Sequence, residues 1–338
     1  MPDLNSIWFA VITFFFVTYF VLDGFDFGTG IMLPVLGKTD RERRIIINTI
    51  GPVWDGNEVW LVGAGSAMLA AFPDWYATLF SAFYPAIPVM LAALMLRGVG
   101  FEFRSKRPDS RWRSFWDWAI ASGSATISML WGIILASFIQ GIPVDASKQF
   151  TGSITELLSP YALLCGITST SMFTLHGTLF VALKTTGALE EKARRAAGII
   201  WIPTTILCLL FLIYTYLETG ITASLGINPG IIPVTSVLAL LSVMVLLQKK
   251  LVGWAFAMSC TAIGFSAITI FLELFPNVIV SSLNRDWNLT IYNSATSGYT
   301  LGIISNVALF FVPLILLYQG WSYWVFRKRI TGTNDLEY

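Results

Sequence analysis

Apolar residues dominate this chain in long runs bounded by charge or by clusters of Gly, Pro and Asn. The runs fall at about 6–36, 46–71, 76–97, 114–140, 157–184, 197–218, 231–248, 251–274 and 298–326. A helix needs about 20 apolar residues to cross a bilayer, so the pattern predicts nine transmembrane helices. Lys249 and Lys250 fall between the seventh and eighth runs and argue against fusing them into one.

Basic residues alternate between the connections. Of the 21 Lys and Arg residues, all but Lys148 and Arg285 lie in the first, third, fifth and seventh connections or in the C-terminal tail. The positive-inside rule makes these segments cytoplasmic, which puts the N-terminus outside and the C-terminus inside. An odd number of crossings requires opposite ends, so helix count and charge agree. The expected fold is all-α integral membrane: nine transmembrane helices, two four-helix bundles plus one additional helix, in a single polytopic domain over residues 1–338.

The composition excludes a water-soluble globule, because 12% of the residues are charged and 55% hydrophobic against about 25% charged in a soluble domain. A net charge of +1 leaves no electrostatic footprint for nucleic acid. Cys165, Cys208 and Cys260 stand singly in apolar runs, which argues against a disulfide framework, an iron–sulfur cluster or a structural zinc site. The start, Met1 to Asn5, is acidic, and the apolar run after it outlasts the h-region of a signal peptide, so it is expected to stay as a span. The longest outer segment, about 275–297, carries Asn284, Trp287, Asn288 and Tyr292 and is expected to fold over the outer rim.

Two segments place acids where hydrocarbon is expected: Asp23 and Asp26 within residues 21–30, and Asp55 and Glu58 within residues 51–60. A central Asp costs about 2.5–3.5 kcal/mol on the insertion scale, so four uncompensated acids cost on the order of 10 kcal/mol. They need partners, water or protons. Spacings of three residues put each pair on one helix face. From the helical rise, Asp55 and Glu58 are expected roughly 14 and 18 Å from the cytoplasmic boundary, with Asp23 and Asp26 nearer it. Such a ladder of exchangeable protons suits a proton path. Capping of broken helices, or pairing with Arg at the membrane edge, is the competing structural explanation.

His176 is the single histidine, with Met172 one turn earlier. Residues four apart share a helix face and cannot ligate one haem iron from opposite sides. A hydrogen-bonded core histidine is the expectation. The stretch from Arg97 to Arg113, followed by Trp116, Asp117 and Trp118, reads as an interfacial anchor. Its competitor is a rim that docks a partner, with Asp117 paired to a nearby Arg.

DGFDFGTG at 23–30, GPVWDGNEVW at 51–60, RGVGFEFRSK at 97–106, RWRSFWDW at 111–118 and YQGWSYW at 318–324 closely resemble subunit II of the cytochrome bd quinol oxidases. The likeness extends over the whole chain. It implies a multi-pass subunit in a prokaryotic cell membrane, paired with a haem-bearing subunit I that holds two b haems and haem d, with quinol as substrate of the complex. It further implies no haem or other cofactor on this chain and an electrogenic reaction, quinol and oxygen giving quinone and water. It leaves room for a small single-helix accessory subunit and for membrane lipids.

The resemblance also implies a cytoplasm-to-haem d proton channel in which Asp55 matches the carboxylate of the tryptophan-aspartate motif, and Asp23 and Asp26 match the acids of the first helix. At 58 some family members carry Gln, so Glu58 rests on its spacing alone. A proton-coupled secondary transporter using the same acids, and a purely structural assembly subunit, are the alternatives.

Overall fold

The first apolar run folds as one 33-residue helix, α1 (Leu4–Leu36), begun by Asp3, whose carboxylate accepts the Ser6 N–H. In this computed structural model, which describes residues 3–219 and 231–331, α1 is the axis of the molecule. It packs against α3, α6, α8 and α11, the helices defined below. Glycines set how closely α8 approaches: a Cβ on Gly28 would lie 1.8 Å from the Phe173 carbonyl oxygen, and one on Gly177 would lie 2.2 Å from the Thr29 nitrogen. Only glycine fits where two backbones touch in this way. The DGFDFGTG segment is thus uninterrupted helix.

The second run does not form one helix. α2 (Asp40–Ile50) begins with a Thr39/Glu42 capping box and buries Ile45, Ile46, Ile47 and Ile50. The chain then breaks at Gly51-Pro52-Val53, where proline cannot donate to the helix ladder, and restarts as α3 (Trp54–Ala71). The third run is likewise divided, into α4 (Pro73–Ala82) and α5 (Ala86–Phe103), by the turn before Ala86 that contains Pro85. A 3₁₀ turn, Arg104–Lys106, extends α5.

The remaining helices are α6 (Ser110–Gln140), the one-turn α7 (Ile154–Leu157), α8 (Pro160–Lys184), α9 (Ala188–Thr219), α10 (Ile231–Gln248), α11 (Val252–Leu274) and α12 (Gly298–Val325). α9 starts nine residues before its apolar run, because Glu190, Glu191, Lys192, Arg194 and Arg195 form helical turns laced by Arg194–Glu191 and Arg195–Glu191 pairs. The sixth connection lies outside the described residues.

Among the described residues eight helices are long and apolar enough to cross a membrane: α1, α5 with its 3₁₀ turn, α6, α8, α9, α10, α11 and α12. α3 has 18 residues, but Asp55, Asn57 and Glu58 in its first turns dilute its apolarity. α8 packs on α9 and α6, α5 on α6, and α10 on α11, whereas α12 touches mainly α1 and α3 and leaves most of its surface uncovered.

Between α11 and α12, β1 (Asn277–Ile279) pairs antiparallel with β2 (Leu289–Thr290). Ile142 at the end of α6 donates to Val280 and accepts from Ser282, and Thr296 donates to Ala71 at the end of α3. The 275–297 segment is therefore fastened across the ends of those two helices.

The anchor reading of residues 97–113 needs correction. Arg97 and Arg104 are both buried. Arg104 Nε donates to Asp117 Oδ1 at 2.5 Å and Arg43 Nη1 to Asp117 Oδ2 at 2.7 Å, while Asp40 receives Arg104 and Arg113. This network clasps α2, the end of α5 and α6. Arg107, over the Trp112 ring at 4.6 Å, and the exposed Trp118 keep the anchoring position.

Candidate functional site

Asp23 and Asp26 lie one turn apart on α1 and are both fully buried. Their partners come from different helices. Because α5 continues past Arg97, that side chain enters the bundle rather than the membrane surface: its Nη2 donates to Asp23 Oδ1 at 2.9 Å and lies 3.5 Å from Glu58 Oε1. The guanidinium sits 4.7 Å from the centroid of the Phe27 ring, a cation–π contact.

The break between α2 and α3 turns the first residues of α3 toward α1. Asn57 Nδ2 donates to Asp26 Oδ2 at 2.8 Å, and Asn57 Oδ1 accepts from Gln319 Nε2 at 2.9 Å and from the Tyr323 hydroxyl at 2.7 Å. One buried amide thus joins α1, α3 and α12. Nearby, the Tyr19 hydroxyl accepts from Trp131 Nε1 at 3.2 Å.

Asp23 Oδ2, Asp26 Oδ1, Arg97 Nε and Arg97 Nη1 are buried with no hydrogen-bond partner among the described residues. A buried polar atom left unmatched costs about 1–3 kcal/mol. Such groups concentrated in one cluster retain hydrogen-bonding capacity for exchangeable protons or water. Three carboxyl groups face a single guanidinium, and the cluster is electroneutral when two of the three carry protons.

The structure brings Asp23, Asp26 and Glu58 together. It does not bring Asp55 with them: Asp55 is exposed on the outer face of α3, whereas the Glu58 side chain is 23% exposed. Arg97, Asn57, Gln319 and Tyr323 were missed as site residues by reading the sequence. For Arg97 a signal was present, since Gly98 to Phe101 continues the apolar character of the run that Arg97 appeared to end.

His176 is buried, with Nε2 3.0 Å from the Val21 carbonyl and Nδ1 2.7 Å from Ser259 Oγ. A carbonyl only accepts, so Nε2 carries a proton, and in the neutral ring Nδ1 shares the single Ser259 hydroxyl hydrogen with the Phe256 carbonyl, 2.7 Å from Ser259 Oγ. The ring also stacks on Phe256 at 4.8 Å. With both nitrogens engaged, this residue does not fit haem ligation. Cys165, Cys208 and Cys260 are free thiols, and no group of three or more His, Cys, Asp or Glu among the described residues is arranged to hold a metal ion.

The chain is similar to known proteins along nearly its whole length. Residues 4–326 match the family described as cytochrome bd terminal oxidase subunit II. The chain is 37% identical to the cytochrome bd ubiquinol oxidase subunit 2 of Bacillus subtilis, covering 100% of both chains. It is 33% identical to the cytochrome bd-I ubiquinol oxidase subunit 2 of Escherichia coli K12, covering 99% of this chain and 97% of that one. A chain in the solved structure of the bd oxidase from Geobacillus thermodenitrificans shares the fold, with a TM-score of 0.71 at 20% identity, over 94% of this chain and 98% of that one. The chain belongs to the cytochrome bd terminal oxidase subunit II family, and is a multi-pass membrane subunit of a bacterial respiratory oxidase.

Proposed function

We propose that this chain is the non-haem subunit of a quinol:oxygen oxidoreductase, stabilising its partner and delivering cytoplasmic protons to the oxygen reduced there. The chain crosses the membrane nine times in this reading, with α3 as the polar ninth span, the N-terminus outside and the C-terminus cytoplasmic. The two b haems and haem d belong to subunit I, where they supply the electron transfer and oxygen chemistry. This chain's part is to hold and move protons.

The observation that carries the reading is the buried cluster of Asp23, Asp26 and Glu58 around Arg97. Arg97 fixes one negative charge, and the remaining carboxyls exchange protons with little net change in buried charge. Asp26, held by Asn57, and Asp23, held by Arg97, are loaded from the cytoplasmic end. Glu58 lies on the same α3 turn as the exposed Asp55, so protons pass outward through α3 to the chain's surface. A carboxylate exposed at membrane depth needs cover. The partner docking over this face of α3 makes Asp55 the hand-over point.

The test is Asp55→Asn, which keeps size and hydrogen bonding and removes the titratable proton. Oxygen consumption by the purified complex, followed over a pH series with haem content as control, is expected to fall while the haem spectrum persists. Wild-type turnover at every pH removes Asp55 as an obligatory carrier, and loss of haem assigns it to assembly. Stable function of the chain without any haem-bearing partner favours a transporter instead.

A further inference from the structure

α12 packs on α1 and α3 but leaves a gap toward α8 and α11 at its C-terminal end. The gap is a cavity of about 590 Å³, within the range of roughly 300–1,000 Å³ typical of ligand pockets. Val21 and Phe25 of α1, Phe180 of α8 and Phe256 of α11 form apolar walls, while Lys184, Arg327, Lys328 and Arg329 form a cationic rim.

That rim is built, not trailing. Lys184 Nζ donates to the carbonyls of Phe326 and Lys328, and Ile330 N donates to the Lys184 carbonyl at 2.7 Å, with a β-bridge between Thr185 and Ile330. The segment after α12 is therefore strapped to the end of α8, and its three consecutive cations are held over the cavity. Among the described residues their local compensation is small. Arg329 meets Glu190 at 3.4 Å, Arg327 lies over the Trp324 ring at 4.4 Å, and Lys328 is exposed. Among the described residues, four cations thus face one acid at the mouth of a space whose inner walls are aromatic and aliphatic.

We propose that this cavity binds an anionic glycerophospholipid from the surrounding leaflet, with its phosphate on the rim cations and an acyl chain between α12 and the α8/α11 wall. The charge pattern selects this occupant. A neutral quinone head group offers carbonyl acceptors but no negative charge to balance four cations, and an acidic peptide would have no use for the apolar interior. Arg and Lys at a membrane boundary also attract anionic lipid in bulk, but bulk attraction needs no cavity. The proposal stands on the cavity and its rim, independent of the proton path.

The test uses the intact oxidase complex, purified in mild detergent and titrated with phosphatidylglycerol or phosphatidylcholine, with bound lipid counted by native mass spectrometry. Each cation contributes roughly fivefold to binding an anionic head group. The triple variant Arg327→Gln, Lys328→Gln, Arg329→Gln is therefore expected to weaken phosphatidylglycerol retention on the order of a hundredfold, leaving phosphatidylcholine unchanged. Because removing three cytoplasmic charges can disturb insertion, Cys260→Phe supplies a second arm. It fills the cavity from α11, leaves every charge in place, and is expected to displace the lipid as well. Retention of both lipids alike, retention unchanged in either variant, a bound quinone in place of lipid, or no retained lipid each overturns the proposal.

Discussion

Arg97 and Asp23 form an ion pair 2.9 Å long with both side chains fully excluded from solvent, and among the described residues Arg97 is the one guanidinium within ion-pairing reach of Asp23 and Glu58. Breaking such a pair from one side leaves an uncompensated charge and costs about 3–5 kcal/mol, whereas removing both partners costs much less. Arg97→Gln is expected to lower the thermal stability of the purified complex sharply. Asp23→Asn added to it should restore much of the loss. A double variant less stable than either single one would show that the two residues do not act as a pair.

Packing along α1 yields a contrast between two glycines. Gly28 has no room for a Cβ against the α8 backbone, while a Cβ on Gly65 of α3 meets nothing within 4 Å. Gly28→Ala forces helices apart and is expected to cost at least about 1–3 kcal/mol, seen as a lower yield of folded chain. Gly65→Ala should be neutral to folding. Gly65→Leu should leave the fold intact yet weaken capture of the haem-bearing partner if α3 presents the docking face through its small residues. Equal capture by Gly65→Leu and the unaltered chain would move the interface elsewhere.

A third expectation concerns the ion pair between Glu42 of α2 and Lys192 of α9. Burial pushes the Glu42 carboxyl up, but the Lys192 ammonium and the backbone N–H groups of Lys38 and Thr39 outweigh it and hold the group below its ordinary value of 4.5. A depressed folded value means stability that is full above the unfolded value and lost as pH falls through the folded one. The stability gap between the unaltered complex and Glu42→Gln is therefore expected to hold steady above about pH 5 and to close on acidification. A gap that widens below pH 4.5 would contradict this sign.

Much of this architecture was readable from apolarity, and the exceptions have physical causes. The run at 231–248 coincides with α10, and 251–274 nearly coincides with α11, because Lys249 and Lys250 mark the turn. Hydropathy is blind to backbone breaks inside a run, so Gly51-Pro52 and Pro85 were passed over although both are visible in the sequence. The outward rotation of Asp55 depends on how α3 restarts after its break, which residue spacing alone does not determine. Asn57 meets Gln319 and Tyr323 across separations of 262 and 266 residues, and a single sequence carries no signal for such pairing. The acids Asp23 and Asp26 announced themselves through their cost in hydrocarbon; Arg97 was hidden because it resembled the end of a span.

Asn57 provides the sharpest test of how the cluster is organised. Its amide donates to Asp26 and, at 3.4 Å, to the Leu22 carbonyl, and receives two hydrogen bonds from α12, through Gln319 and Tyr323. Asn57→Asp keeps the volume but exchanges the amide donor for a carboxyl group beside Asp26, so unless that group is protonated it adds repulsion where there was a hydrogen bond. Asn57→Ala removes all four bonds and leaves polar groups on α1 and α12 unmatched, at about 1–3 kcal/mol each. Tyr323→Phe removes one bond from the far end without touching Asp26, at about 1 kcal/mol. If Asn57 positions Asp26 for proton exchange, Asn57→Ala should slow oxygen consumption and alter its pH profile, whereas Tyr323→Phe should lower thermal stability slightly and leave the pH profile unchanged. If Asn57 merely ties α12 to the bundle, both variants should lose stability in proportion to the bonds removed and neither should change the pH profile. Oxygen consumption over a pH series, set beside the melting temperature of each purified complex, separates the two roles.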